Sequence, residues 1–106
     1  MTIWPSTIEQ GDDSRWTPLH IVAHMDNTPF LYLLLKNGNS PAYVRNKEGL
    51  FALHIAAKEG NYVVMYIIMT ACPDMYELLD NKGRNALHAA AESGRLEEFE
   101  LLKARL

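Results

Sequence analysis

The stretch Thr17-Pro18-Leu19-His20-Ile21-Val22-Ala23 decides the fold, because its central pair recurs twice further along the chain. Leu19-His20 is followed by Leu53-His54 and by Leu87-His88, each 34 residues after the previous pair. The same offset aligns Asp12 with Asn46 and Asp80, Ala23 with Ala57 and Ala91, Gly49 with Gly83, and Gly60 with Gly94. A regular period of this length without insertions indicates a chain built from similar structural units.

Each unit opens with a first helix whose start and end are visible in the sequence. Thr17 supplies a capping hydroxyl, and Pro18 occupies the first helical position, where no backbone donor is lost. Gly60 and Gly94 supply the left-handed conformation that ends many helices, whereas Asp26 stands at this position in the first unit. We therefore predict three short first helices, in a stack whose first unit is the least regular.

The second helix of each unit is predicted from apolar residues spaced three and four apart. These second helices are Pro29 to Lys36, Tyr62 to Ala71 and Leu96 to Arg105. Two stretches between units, Pro41 to Arg45 and Met75 to Leu79, are expected to be extended. Each leads into a polar turn that contains a glycine, Gly49 or Gly83, able to adopt a positive φ.

A unit of two short helices cannot bury its own apolar face, so neighbouring units must stack. We predict an all-α helical solenoid of about three repeats, each with two antiparallel helices and a projecting turn. The expected divisions are an amino-terminal arm at residues 1–11, repeats at 12–45 and 46–79, and a third repeat at 80–106 that caps the stack.

Composition and charge exclude several classes of function. With 48% hydrophobic and 22% charged residues, the chain has the composition of a soluble globular domain. A net charge of -3 gives no basic surface for phosphates, so no nucleic acid partner is expected. The longest apolar stretch, residues 62–72, is too short to cross a bilayer, and the start of the chain does not resemble a signal peptide. The single cysteine, Cys72, fits a cytoplasmic location.

The histidines and the cysteine are the residues that most suggest metal binding or catalysis. The three repeated histidines lie on helices roughly 8–10 Å apart, too far for their nitrogens to reach one zinc ion at about 2.0–2.1 Å. We interpret them as structural groups that form hydrogen bonds near the helix starts. His20 and His24 are one helical turn apart but lack a third ligand, and Cys72 lacks an activating basic neighbour. No catalytic residues, cofactor or metal ion are expected.

The three units resemble the ankyrin-repeat signature, in which an acidic residue and a turn glycine precede Thr-Pro-Leu-His and two alanines. The likeness extends from Asp12 to Leu106. The sequence departs from the pattern with Arg15 at the turn glycine, Asp26 at the helix-ending glycine, Phe51 and Asn85 at the threonine, and Ala52 and Ala86 at the proline. The resemblance implies a protein-binding module or scaffold that is not an enzyme, and a structural repeated histidine.

The segment from Cys72 to His88 also resembles the ankyrin region of plant membrane proteins of the accelerated-cell-death type. Those proteins carry more repeats and a hydrophobic carboxyl-terminal region, so this chain would be a shortened relative or an excised piece. The alternative function is then a packing or self-association segment of a longer ankyrin array in a plant signalling protein. Otherwise we expect a cytoplasmic monomer that binds a protein and does not insert into a membrane.

The turn tips and the adjoining sides of the first helices should align into an extended binding face. Trp16, Leu50 and Arg84 share one column, and tryptophan and arginine are enriched at binding hot spots. The predicted contacts on the tips are Asp13, Ser14, Trp16, Lys47, Glu48, Leu50, Asn81, Lys82 and Arg84. The predicted contacts on the first helices are His24, Met25, Lys58, Glu59, Glu92 and Ser93.

Two alternatives to partner binding apply to these residues. Trp16 could pack against the arm from Met1 to Gln10, where Ile3 and Trp4 could cover it. Exposed charged residues usually contribute little to any contact, so plain solvation is the alternative for Lys47, Glu48, Lys58 and Glu59.

Overall fold

The computed structural model describes residues 15–104, which form six α-helices and no β-strand. In chain order these are α1 (Pro18–Met25), α2 (Thr28–Leu35), α3 (Ala52–Glu59), α4 (Tyr62–Ala71), α5 (Ala86–Glu92) and α6 (Leu96–Ala104). Each consecutive pair packs together, while α1, α3 and α5 form one layer and α2, α4 and α6 a second. The predicted all-α solenoid of three helical pairs is confirmed. The boundaries between the arm and the repeats stay predictions.

The helix ends and turns follow the local signals in the sequence. The Thr17 hydroxyl accepts a hydrogen bond from the His20 backbone N–H at 3.3 Å, which caps α1. Gly60 ends α3 with a φ of 75°, and Asp26 ends α1 in the same left-handed conformation with a φ of 59°. Arg15 also has a positive φ, 61°. Arg15 and Asp26 therefore keep the left-handed conformation that glycine has at the equivalent positions of later units, at a strain on the order of 1 kcal/mol each.

The prediction that the segments between units are extended is wrong for the first residues of each segment, whereas Val44 and Leu78, which follow them, have an extended backbone. Ser40–Tyr43 and Met75–Glu77 are short 3-10 helices. In the first, Pro41 occupies the first turn and the Ala42 N–H donates to the Asn39 carbonyl at 2.9 Å. The tight turns place Ala42 and Met75 in the core, each only 1% exposed, and this burial favours them over an extended chain.

The hydrophobic core lies between the two helix layers and is most complete around α3. Leu53 is 1% exposed, and every residue from Ala52 to Ala57 is buried. Alanines at the contacts between first helices, such as Ala23 and Ala90, allow these helices to pack closely. In the third unit Leu87 is only partly buried, because no further helix covers that side within residues 15–104. The middle unit therefore has the most buried first helix.

A buried histidine links the first unit to the second. The Thr17 backbone N–H donates to Nδ1 of His20 at 2.9 Å, and Nε2 of His20 lies 2.8 Å from the Leu50 carbonyl oxygen. Since Nδ1 accepts, the proton resides on Nε2, and the neutral ring donates to the next unit. The structural interpretation of this histidine is confirmed.

The second histidine repeats this arrangement between the second and third units. The Phe51 N–H donates to Nδ1 of His54 at 3.1 Å, and Nε2 of His54 donates to the Arg84 carbonyl at 3.0 Å. Burial lowers the pKa of both His20 and His54, while the hydrogen bond to a carbonyl acts in the opposite direction. In the third unit the His88 ring is exposed, although its Nδ1 still accepts from the Asn85 N–H at 3.0 Å.

Asparagine side chains form a second set of links between units. Asn61 donates to the Ala23 carbonyl at 2.6 Å and so occupies a carbonyl at the end of α1. The close approach extends to Gly60, where an added Cβ would collide with the Arg95 guanidinium. Stacking thus depends on specific polar contacts as well as on the apolar core.

We expect Leu53→Ala to lower the free energy of unfolding by about 2–5 kcal/mol, because it leaves a cavity in the most buried unit. Urea denaturation monitored by circular dichroism measures the loss. Leu87→Ala is the matched control, since it makes the same change at the equivalent, partly exposed position and should cost less. Equal losses for the two variants would contradict the distribution of burial described above.

We expect stability to fall as the pH drops below about 6.5, the ordinary histidine pKa. The folded-state pKa of His20 and His54 is lowered, so their contribution is complete above 6.5 and is lost toward their folded pKa values. Protonation of Nδ1 also removes the acceptor for the backbone N–H. The pKa of Asp80 is lowered as well, so its contribution to stability changes only below about pH 4. This range is separate from the range in which the two histidines titrate.

Urea midpoints measured from pH 7.5 to 5 test this expectation. His54→Gln should reduce the slope of stability against pH, because it removes one buried titrating ring. His88→Gln, at the exposed equivalent position, should change the slope less than His54→Gln does, because water can replace the contacts of an exposed ring. If His54→Gln leaves the slope unchanged, the buried ring of His54 does not titrate in this pH range.

Candidate protein-binding site

The predicted binding residues fall on the two described turn tips and on the adjoining sides of α1, α3 and α5. Asp13 and Ser14 lie outside the described residues. Trp16, Leu50 and Arg84 are all partly buried, and Leu50 and Arg84 line one groove. The Leu50 backbone also belongs to the turn itself, since its carbonyl accepts from the Asn46 N–H at 3.0 Å. The tips are therefore continuous with the packed body of the protein.

The second turn tip is held by one side chain. Asn46 is buried, and its Oδ1 accepts from the backbone N–H groups of Glu48 and Leu50, both at 2.9 Å. This side-chain turn fixes the backbone while the side chains of Lys47 and Glu48 stay exposed. The predicted turn chemistry is confirmed at this tip.

Asp80 holds the third tip in the same way. Its Oδ1 accepts from the Lys82 and Arg84 backbone N–H groups, both at 2.9 Å. Burial of the carboxyl group tends to raise the pKa of Asp80, but these two N–H donors and the Arg84 guanidinium outweigh it and lower the pKa. Asp80 therefore stays charged at neutral pH.

The two tips are joined to each other. The Asn81 backbone N–H donates to the Glu48 carbonyl at 3.2 Å, and the Asn81 side chain donates to the Lys47 carbonyl at 3.2 Å. Asn81 was predicted as a contact for a partner, but the structure uses its amide between the tips. An added Cβ at Gly49 would collide with Asn81, which accounts for glycine at this turn.

Arg84 is fixed by two carboxylates. Its Nε lies 3.0 Å from Asp80 Oδ2, and its Nη1 lies 2.6 Å from Glu92 Oε1. Partial burial of the guanidinium opposes its charged form, but the neighbouring Asp80 and Glu92 raise its pKa. The planar group is thus presented in one orientation, with its remaining N–H donors available near the surface.

A groove of about 160 Å³ lies between the second and third tips. Six predicted residues line it: Glu48, Leu50, Lys58, Arg84, Glu92 and Ser93. Three further residues line the groove but were not among the predicted contacts: His54, Asp80 and Ala89. Ala89 lies one turn before Glu92 and Ser93 on α5, so helical spacing was the available signal for it.

Trp16 is the most distinctive side chain of the column. It packs partly against the core, with its ring centroid 5.6 Å from that of His24 in an edge-on arrangement and 6.1 Å from that of His20. Nδ1 of His24 lies 3.1 Å from Glu59, which joins the exposed sides of α1 and α3. The alternative in which the arm covers Trp16 falls outside the described residues.

Met25 is separated from the other predicted contacts. It lines an apolar groove of about 300 Å³ on the outer side of the first unit, together with Ile21 and Phe30. Lys47, Lys58 and Lys82 are exposed close to the groove between the tips, as are Glu48 and Glu92. The surface around that groove consequently carries both signs of charge.

A metal site, a reactive thiol and a membrane span are the other features that residues 15–104 could contain. No three His, Cys, Asp or Glu side chains there are grouped so that they could hold a metal ion. Cys72 is buried, and burial raises the pKa of its thiol. None of the described helices is long and apolar enough to cross a membrane.

Comparison with known proteins identifies the repeat. A family model described as ankyrin repeats (3 copies) matches residues 5–73 and residues 19–105. A search of curated proteins gave no match. The narrower resemblance to plant membrane proteins of the accelerated-cell-death type therefore has no support. Both matches span more than half of the sequence and contain the stacked helical pairs described above, so the chain belongs to the ankyrin-repeat family.

Proposed function

We propose that this chain binds a protein partner through its turn tips and the adjoining surface of its first helices. Ankyrin repeats are generic protein–protein interaction modules and are typically not enzymes. The observation that carries the proposal is the groove between the second and third tips, where six of the predicted residues meet. The cytoplasmic location of the chain stays a prediction from its single cysteine.

The rigidity of the tips supports this proposal. Asn46 and Asp80 fix the two turns, and Asn81 ties one turn to the other. Side chains presented on a fixed backbone lose less conformational freedom on binding than side chains on a mobile loop. Exposed Lys47 and Lys82 can therefore contribute to binding although isolated surface charges usually add little.

The chemistry of the groove indicates what a partner segment should present. Leu50 offers apolar surface in the groove, and the remaining donors of Arg84 suit a carboxylate or carbonyl oxygen. The half-buried Trp16 offers further apolar surface outside the groove. Lys58 and Glu92 bring opposite charges to the same groove. A polar peptide segment with one apolar side chain fits this arrangement better than a polyanion does.

We expect Trp16→Ala combined with Arg84→Ala to weaken binding of a native partner at least about tenfold, because both changes remove column side chains that favour hot spots. Partners are first recovered by affinity purification with the unmodified chain, and their Kd values are then measured by calorimetry. Lys47→Ala with Lys82→Ala tests the same face using exposed residues only, so a folding defect is not expected.

Asn37→Ala with Glu77→Ala provides the control, since both residues are exposed and lie away from the tips. Circular dichroism must show the native helix content for every variant. If both tip variants bind every recovered partner as tightly as the control does, the proposed face is wrong.

A second candidate function, packing within a longer ankyrin array, is favoured by the outer side of the third unit. His20 and His54 each donate to a carbonyl of the following unit, whereas His88 is exposed, as is Ala91 beside a partly buried Leu87. The surface that stacks in the other units is thus uncovered within the described residues. The capping role predicted for residues 80–106 stays a prediction.

Fusion of a designed ankyrin repeat after Ala104 tests this second candidate. We expect the Tm to rise by several degrees, because the added unit buries Leu87 and offers a carbonyl to His88. The same fusion carrying His88→Ala should give a smaller rise. A Tm that the fusion does not change would contradict the candidate.

A further inference from the structure

The outer surfaces of α2, α4 and α6 carry an apolar patch that the tip surface does not use. We call this patch the back face and define it by Tyr32, Leu33, Val63, Tyr66 and Leu101, whose side chains are 40% to 63% exposed. Monomeric proteins seldom group exposed large apolar side chains in this way, and such groups mark interaction surfaces.

The back face has residues in all three units. Leu33 and Leu101 occupy equivalent positions, two periods apart, and Tyr32 is one period before Tyr66. The fully buried residues Leu31 and Phe99 lie on the opposite sides of their helices. Between α2 and α4 an open groove of about 420 Å³ passes between Tyr32 and Tyr66. A ridge of helical side chains could enter such a groove.

Charge is distributed unequally along the back face. Neither residues 27–47 nor residues 60–73 contain an aspartate or a glutamate, although the chain has 13 acidic residues. Lys36, exposed at the end of α2, is the basic group beside the patch, and no carboxylate within residues 15–104 pairs with it. On α6, by contrast, Glu97 and Glu100 are exposed next to Leu101. Among the side chains that the structure describes, the α2 end of the face therefore carries a basic group and the α6 end carries two acidic groups.

We propose that the back face binds a second copy of this chain and forms a two-fold symmetric, back-to-back dimer. A two-fold axis that runs along α4 places α2 of the first copy over α6 of the second. The same axis places α6 of the first copy over α2 of the second, so the α2–α6 contact forms twice. Leu33 then meets Leu101 of the second copy, and Lys36 comes within about one helical turn of its Glu100. A two-fold axis across the helices would instead place α2 on α2, where Lys36 meets no acidic group.

A second copy is the occupant that the charges favour, because the chain itself supplies both the basic and the acidic end. A membrane surface would meet Glu97 and Glu100 as well as Lys36, so anionic lipids would be repelled by part of the face. The contact covers roughly 30 by 13 Å, given the rise per residue and the spacing of packed helices, which is below the usual interface size. We therefore expect a weak dimer, with a Kd in the micromolar range.

This inference is independent of the proposed function at the tips, which lie beside the other helix layer and stay accessible in such a dimer. It departs from the sequence-based expectation of a monomer, which the structure does not test. The tip variants and the back-face variants can therefore fail separately, because they change different surfaces and different measurements.

Sedimentation velocity of the full chain at concentrations from about 5 to about 500 µM, a range that brackets a micromolar Kd, tests the dimer. The unmodified chain should shift from monomer to dimer as its concentration rises. Leu33→Glu, which places a charge at the Leu33–Leu101 contact, should raise the dimer Kd at least about tenfold. Leu79→Glu is the matched control: Leu79 is 47% exposed but lies off the back face, so this variant should dimerise normally.

A charge exchange tests the pairing of α2 with α6. Lys36→Glu alone should weaken the dimer because it faces Glu100 of the second copy, and Lys36→Glu combined with Glu100→Lys should restore it. The side chains at the four substituted positions, Leu33, Lys36, Leu79 and Glu100, are all exposed. Circular dichroism verifies that each variant is folded. Restoration by the exchange would not follow from a purely structural role of either residue.

Three results would overturn the proposal. The unmodified chain could stay monomeric at the highest concentration, in which case the back face does not bind a second copy. A dimer that Met25→Glu dissociates and Leu33→Glu does not would be an end-to-end stack through the outer side of the first unit. A dimer that the charge exchange fails to restore would exclude the placement of α2 over α6.

Discussion

The buried imidazole that bridges one unit to the next is the contact on which the stack depends. In each of the first two units a histidine accepts from the backbone of its own helix start and donates to a carbonyl of the following turn. One side chain thus orients a helix, fixes its own tautomer and sets the position of the neighbouring tip. A charged ring could not accept at Nδ1, so the neutral form that burial favours is also the form that the geometry requires.

The period of the sequence predicted the fold because it reports what the units share. Leu53 and His54 occupy the same structural places as Leu19 and His20, and the left-handed positions are kept even where Asp26 replaces glycine. The segments between units were predicted to be extended, but only their later residues, such as Val44 and Leu78, have an extended backbone. Burial of Ala42 and Met75 instead favours a tight 3-10 turn, and that burial depends on the neighbouring helices.

The candidate surfaces depend on residues that differ between units, and these were harder to predict. The alignment located the column of Trp16, Leu50 and Arg84, but it could not show that Arg84 is fixed between Asp80 and Glu92. Those contacts run diagonally from a turn to a helix, so no single sequence offset reveals them. The back face was missed for a different reason, because its leucines and tyrosines do recur at the 34-residue offset or at twice that offset. Apolar residues on the second helices were used only to predict those helices, and some of them lie on the side that faces away from the core.

The position of the tip groove couples binding to folding. Glu48, Leu50 and Lys58 reach it from the second unit, and Arg84 and Glu92 reach it from the third. A partner in the groove can therefore bind only when these two units are stacked, and it stabilises the stacked form by mass action. The third unit gains most, because its first helix is the least covered of those described. The same contacts that recognise a partner would thus hold the third unit in place.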